Sequence, residues 1–317
     1  MKKLVIMMTV ALVIGACGNK KEQKEGGNDS AKLTGTINID GSSTVFPVTE
    51  AVAEEFRAIQ PDVKVTIGVS GTGGGFQKFS RGETNISNAS RPIKDKEIAA
   101  CAENNITYLE LEVAYDGLAV VVNPGNTWVD SFTVEELKKI WEPAAQGKIM
   151  KWNQIRPEWP NEEIHLYGPG VASGTFDYFT EAIVGKSGSS RGDFTASEDD
   201  HVLVQGIEGD KYSLGFFGLA YYEESKDKLT LIGINNGKEV VKPTRETVSN
   251  GTYSPLSRPL FIYVNSTSIK HPEVVEFVNF YIDKAAELSE DVGYIKLPAE
   301  LYAKQKENFK AFVEKNK

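Results

Sequence analysis

Four short clusters of Ser, Thr and Gly carry most of the residues whose types and spacing could do chemistry. They are Asp40-Gly41-Ser42-Ser43-Thr44, Ser70-Gly71-Thr72-Gly73-Gly74-Gly75, Asn88-Ala89-Ser90-Arg91 and Ala172-Ser173-Gly174-Thr175. Each follows an apolar run that reads as a strand or its end. At least the first, second and fourth run straight into a helical pattern. Strand, small polar turn and helix start is the geometry that aims backbone N–H groups and hydroxyls at an anion. Taken singly, each turn also fits a plain helix cap or a loop. Four in one chain point to a single dehydrated oxyanion site.

Other chemistry is poorly supported. The glycine-rich second cluster lacks the Lys of a nucleotide-binding loop and does not follow GxGxxG spacing. Ser173 does not sit in a GxSxG elbow, and no base is placed beside it, so no catalysis is expected. Three histidines without ligand spacing give no metal site, and no cofactor is implied. Cys101 lies in an apolar helical stretch and reads as a buried, inert thiol. A net charge of −9 argues against nucleic acid. It also means that an anion must be held by local dipoles and one or two placed cations.

The elements that would position these turns alternate α and β. Ile37 to Ile39 is a short strand entering the first turn, and Val48, Ala51, Val52, Phe56 and Ile59 repeat at helical spacing behind Pro47. Val63, Val65, Ile67 and Val69 alternate with polar residues and deliver the chain to the second turn. A helix is expected near 94–104, and strands near 107–111, over the buried run 118–122, and over 164–167, 214–219, 229–234 and 260–264. Thr133 and Glu136 make a capping box, Ser173 caps a helix bearing Phe176, Phe179 and Ile183, and a strong helix covers 272–283.

The N-terminus carries its own signal. Lys2 and Lys3 precede a mostly apolar run from Leu4 to Ala16 and then Cys17. The run is too short to span a bilayer but suits a signal-peptide core. Ile14-Gly15-Ala16-Cys17 resembles the lipobox of bacterial lipoproteins, which implies a lipidated Cys17, a cleaved 1–16 and a flexible tether over 17–32.

At the four turns the chain resembles the periplasmic phosphate-binding lipoproteins of the PstS type. The resemblance rests on Asp40 to Phe46, Ser70 to Phe76, Asn88 to Ile93, Tyr115 to Asn123, Lys151 to Asn153 and Ser173 to Phe179. The stretches from Leu166 to Val184 and Ser190 to Gln205 look most like the SphX branch. The resemblance implies a type II periplasmic-binding-protein fold. Two α/β lobes, 33–115 plus 257–317 and 116–256, would be joined by two crossing strands with the ligand cleft between them. It further implies a monomer in the periplasm or at the cell surface, membrane-anchored through its lipid. That monomer would hand inorganic phosphate to the permease and ATPase subunits of an ABC importer. Sulfate, molybdate or tungstate on the same fold, or a signalling or adhesion derivative without transport, are the alternatives.

Carried over by position, the ligands fall on Ser43, Thr44, Val45, Ser70, Gly71, Thr72, Ser90, Arg91, Ser173, Gly174 and Thr175. The chain departs from the enterobacterial pattern twice. Arg91 stands where those relatives have an Asp, and the Arg they carry shortly before Ser-Gly-Thr is missing. Arg91 is the candidate replacement cation, with Arg191 second. Asp40, Asp116 and Asp177, or else hydroxyl lone pairs, are the candidate acceptors for the proton that phosphate carries and sulfate lacks.

Overall fold

The computed structural model describes residues 32–317; the expected signal peptide, Cys17 and nearly all of the tether lie outside them. The strands are β1 (Gly35–Gly41), β2 (Val63–Gly68), β3 (Ile86–Ala89), β4 (Tyr108–Val122), β5 (Ser131–Thr133) and β6 (His165–Pro169). They continue with β7 (Thr195–Ser197), β8 (Ser213–Gly218), β9 (Thr230–Leu231), β10 (Gly233–Asn235), β11 (Val240–Val241) and β12 (Ser257–Asn265). The helices begin with α1 (Phe46–Ile59), α2 (Gly71–Phe79), α3 (Asp95–Glu103), α4 (Val134–Trp141) and α5 (Gly174–Phe179). Then come α6 (Asp200–Glu208), α7 (Leu219–Ser225), α8 (Arg245–Ser249), α9 (Pro272–Asp291) and α10 (Ala299–Asn316).

The main sheet runs β2-β1-β3-β12-β4-β8-β6-β7, with β9 on the far end of β4. β4 and β12 tie it together. They pair antiparallel from Tyr108↔Asn265 to Gly117↔Ser257, with a register shift between Leu260 and Phe261. Beyond Gly117, β4 leaves β12 and pairs with β8 through Leu118–Val122. Two apolar cores sit on either side of this switch. The first gathers Ile37, Val48, Val52, Phe56, Leu111, Ile262, Phe277 and Tyr281. The second gathers Leu118 to Val122, Trp141, Trp152, Phe179, Leu214 and Phe216, and takes Ile295 from the segment before α10.

The local reasons follow the pattern of the residues. Val48, Val52 and Phe56 fall four apart on α1 and are fully buried. Ile59, at the end of that helix, is 53% exposed despite its expected place on the stripe. Phe179 stacks on Phe216 at 3.7 Å, and Trp141 meets Phe216 edge-on at 5.0 Å. Burying each such ring contributes about 1.5–3 kcal/mol, with about 0.5–1.5 kcal/mol more per aromatic pair. Thr133 and Glu136 form the expected capping box, and Ser173 Oγ accepts from Thr175 N–H at the start of α5.

Several expectations are corrected. The separate strands near 107–111 and 118–122 are one, because Glu112 and Ala114 to Gly117 between them pair with β12, with buried Val113 at the register shift. β12 starts at Ser257, ahead of Pro259, which lies beyond the part of the strand that pairs with β3. The run 229–234 splits at Ile232 into β9 and β10. α9 continues to Asp291, and α10 follows without having been anticipated.

Gly41 ends β1 at φ +145°, where a Cβ would lie 2.1 Å from the carbonyl oxygen of Asn88 on β3. Gly41→Ala is expected to lower the unfolding free energy by about 2–4 kcal/mol, through strain and a backbone clash together. Urea denaturation checks this, and a loss within error would show that the first turn can relax around a side chain.

Candidate functional site

Three of the four turns meet at one cavity of about 280 Å³. Ser42, Ser43 and Thr44, then Gly71, Thr72 and Gly73, and Ser90, Arg91 and Lys94 form one wall. Asp177, Tyr178, Glu181 and Ser187 face them from the second core, and Arg258 reaches in from β12.

Parallel strand order builds that wall. β1 lies between β2 and β3, so the three turns leave adjacent strands at the same end of the sheet. Ser42 N–H donates to Asn88 O at 3.0 Å, and Tyr294 Oη donates to Thr44 O at 2.7 Å. Ser90 N–H donates to Thr72 Oγ1 at 3.2 Å, joining the second and third turns. Tyr263 Oη accepts from Ile93 N–H and donates to Glu110, which fixes the chain just past Arg91. Gly71 at φ +75° turns the chain into α2, whose first residues, Gly71, Thr72 and Gly73, line the cavity.

The two sides touch. Ser43 Oγ donates to Asp177 Oδ2 at 3.0 Å, and Thr44 Oγ1 donates to Gly174 O at 3.3 Å. A Cβ on Gly174 would come within 2.6 Å of Thr44 Cα, so only glycine permits this approach.

The fourth turn departs from the expected single site. Ser173, Gly174 and Thr175 line a neighbouring cavity of about 370 Å³, which shares Ser43 with the first. The reason is local. Ser173 Oγ is committed to capping α5, and the Gly174 carbonyl is turned onto Thr44. Glu198 and Asp200 also line this second cavity, and burial followed by the charge of Asp199 pushes Asp200 up to about 6.

Other expected residues are placed elsewhere. Val45 is fully buried at the N-cap position of α1 and does not line the cavity. The Ser70 hydroxyl donates to Asp40 rather than facing the cavity. Asp40 also takes Lys78 Nζ at 2.5 Å and Ser70 N–H at 3.2 Å. Burial pushes its carboxyl up, but Lys78 and Ser70 outweigh it and hold it below the usual range, so Asp40 is not a free acceptor. Arg191 is a correction. Its guanidinium is buried against Ile140 O, Ile149 O and Asp193, and it lines neither cavity. Arg91 does line the cavity, but its fork is closed on both oxygens of Glu97, at 2.9 and 2.8 Å. Cys101 is buried, and burial raises its thiol pKa. Among the described residues, no group of three His, Cys, Asp or Glu could hold a metal, and no helix is long and apolar enough to cross a membrane.

Sequence reasoning missed Arg258. It lies opposite Asp116 in the β12–β4 register, with Nε 3.4 Å from Asp116 Oδ2 and Nη2 donating to Thr44 Oγ1 at 2.8 Å. Its guanidinium carbon stands 3.5 Å from the centre of the Tyr178 ring. The available signal was a lone arginine before a proline at the edge of an apolar run, which reads as loop. Asp116 itself lies behind Arg258, 1% exposed, and does not line the cavity.

The two α/β cores and the cleft turns define a binding protein of the PBP class, and residues 26–285 match the PBP superfamily domain. The chain is 53% identical over 268 residues to Protein SphX of Synechocystis sp., covering 84% of this chain and 80% of that protein. It is 40% identical over 314 residues to phosphate-binding protein PstS of Staphylococcus saprophyticus, covering 96% and 93%. It also resembles the crystal structure of a possible phosphate binding protein from Planctomyces limnophilus. That match has a TM-score of 0.84 and 47% identity, over 90% of this chain and 99% of the other. The chain belongs to the PBP superfamily, among the SphX and PstS proteins.

Burial pushes Asp116 up to about 6, from 3.8, against the pull of Arg258. Between those values the folded protein keeps a proton that the unfolded chain has released, so this carboxyl lowers stability as pH rises through the window. Asp116→Asn removes the titration. The stability of the wild type relative to this variant is expected to fall between pH 4 and 7, by about 2–3 kcal/mol. Paired melting curves across that range check it, and a pH-independent difference would exclude the raised carboxyl.

Proposed function

We propose that the protein captures inorganic phosphate outside the cytoplasmic membrane and delivers it to an ABC importer. One observation carries this beyond the names of its relatives. A single cavity is lined by small Ser, Thr and Gly residues from three turns, the cations Arg91, Lys94 and Arg258, and two opposing carboxylates, Asp177 and Glu181. Donors of that kind hold an oxyanion in a chain whose overall field repels it. The site ligands in this proposal are Ser43, Thr44, Gly71, Thr72, Ser90 and Arg91, with Ser173, Gly174 and Thr175 supporting closure from beside the cavity.

Binding and closure go together here. The segments 33–115 plus 257–317 and 116–256 act as lobes hinged on β4 and β12, and the Ser43–Asp177 and Thr44–Gly174 contacts are made on closing. The protein acts as a monomeric receptor rather than an enzyme. A lipid on Cys17 holds it at the membrane, and its partners are the importer's permease and ATPase subunits. Cys17→Ser is expected to move it from the membrane to the soluble fraction, and retention at the membrane would remove the anchor from this account.

Asp177 is the acceptor best placed to tell phosphate from sulfate. Asp40 is taken by the Lys78 ammonium and Ser70, and Asp116 lies behind Arg258, whereas Asp177 lines the cavity and its carboxylate accepts, among the described residues, only from the Ser43 and Ser187 hydroxyls. A phosphate hydroxyl can donate to that carboxylate, while sulfate brings only lone pairs and charge against it.

Calorimetry with phosphate, sulfate, molybdate and tungstate tests the function. Saturable phosphate heat with weaker sulfate binding is expected; tighter binding of another oxyanion would replace phosphate as the ligand. Asp177→Asn is expected to narrow the phosphate preference over sulfate by about tenfold or more, the value of one charged hydrogen bond. Gly174→Ala is expected to weaken phosphate by a similar factor, by propping the lobes apart, with melting temperature nearly unchanged. Full affinity in that variant would mean the Thr44–Gly174 approach is not part of the bound state.

A further inference from the structure

Three cations reach the cavity, and they are not equivalent. Arg91 is clamped on Glu97 at both ends of its guanidinium, and Nη1 also donates to Pro92 O at 3.0 Å. Burial raises the Glu97 carboxyl, but Arg91 and the Lys94 N–H outweigh it, so Glu97 stays ionised and cancels the charge beside it. Lys94 is exposed to water, where a charge at a few ångströms acts weakly.

Arg258 differs on each count. Its side chain is only 11% exposed, in a wall where electrostatic contacts are strong. Its one hydrogen bond to a carboxylate is long, 3.4 Å from Nε to Asp116, in contrast to the two-point clamp on Arg91. Nη2 is directed by Thr44 Oγ1, and Tyr178 holds the plane of the fork. Nη1 makes no hydrogen bond among the described residues, and the nearest carboxylate to it is Glu181 at 3.8 Å, itself 58% exposed. A rigid, nearly buried guanidinium with one end of its fork uncommitted is the arrangement that an oxyanion completes.

We infer that Arg258 is the principal cation for the bound oxyanion and that, through it, the anion is tied directly to the strands that join the two cores. This rests on the oxyanion-binding function proposed above. Its position makes the second half follow. Arg258 sits on β12 opposite Asp116 on β4, touches Thr44 at the start of α1, and stacks on Tyr178 from α5. An anion drawn to Nη1 and Nη2 is therefore bound to both connecting strands and both cores through one side chain. Arg91 becomes an accessory donor, rather than the substitute for the cation that the enterobacterial pattern carries elsewhere.

Calorimetric titration of the full mature chain with inorganic phosphate, at fixed pH and ionic strength, separates these roles. Arg258→Gln is expected to weaken phosphate by about 100-fold, and Arg258→Lys, which keeps charge but loses the fork, by about tenfold. Arg91→Gln is expected to weaken phosphate by about fivefold, clearly less than Arg258→Gln, because it removes an accessory donor whose charge is already cancelled. Circular dichroism and melting temperature report whether each variant folds. If Arg258→Gln does not fold, Arg258→Lys decides: wild-type affinity in it overturns the inference, and a tenfold loss supports it. Arg91→Gln losing more affinity than Arg258→Gln would also overturn it. No phosphate heat from the wild-type chain would instead reject the oxyanion function itself, which keeps the two failures apart.

Discussion

The pairing of β4 with β12 is the constraint on which the rest of this structure depends. These two strands lie side by side from Tyr108↔Asn265 to Gly117↔Ser257, and just past that point β4 passes into the second sheet segment. On one side most of the core packs with Phe56, Phe277 and Tyr281, with a smaller cluster around Phe76, Phe79 and Tyr263; on the other it packs with Trp141, Phe179 and Phe216. The cavity sits beside this junction, so the residue projecting from it, Arg258, is held by both sides at once.

Charge placement follows from that junction. The chain carries a net charge of −9, which does nothing to draw an anion in. Local arrangement must therefore supply the attraction, and it is uneven. Glu97 answers Arg91 at two points, whereas Asp116 answers Arg258 at one, from behind and at longer range. A carboxyl as deeply buried as Asp116 also resists ionisation, and the charge of Arg258 offsets part of that cost.

Close approach of backbone is the third element. Gly174 lets the start of α5 come against Thr44, and Gly41 lets the end of β1 come against Asn88. In both places a methyl group would occupy space held by main-chain atoms, which cannot step aside as a side-chain end can. The same packing decides the fate of the fourth turn. Once Gly174 O meets the Thr44 hydroxyl, the Ser173–Thr175 segment faces a neighbouring cavity instead of completing the first.

The sequence by itself determined the α/β alternation, the three turns that share a wall, the capping box at Thr133 and the family. Each of these is written in short-range patterns: apolar periodicity, a cap residue and its partner three positions on, and glycine where the chain must turn. Val48, Val52 and Phe56 declare their helix face without any knowledge of what covers it. The roles of Asp40, Arg91, Arg191 and Arg258 were not legible, because a charged side chain does not announce its partner. Arg91 and Arg191 were the first and second candidates on paper; Glu97 closes the first, and Asp193 with two buried carbonyls closes the second. Arg258, 142 residues from Asp116 and 214 from Thr44, became a site residue only through strand pairing. Local pattern sets which elements form, whereas the competition among charges is settled by distance and burial, and those exist only in the folded chain.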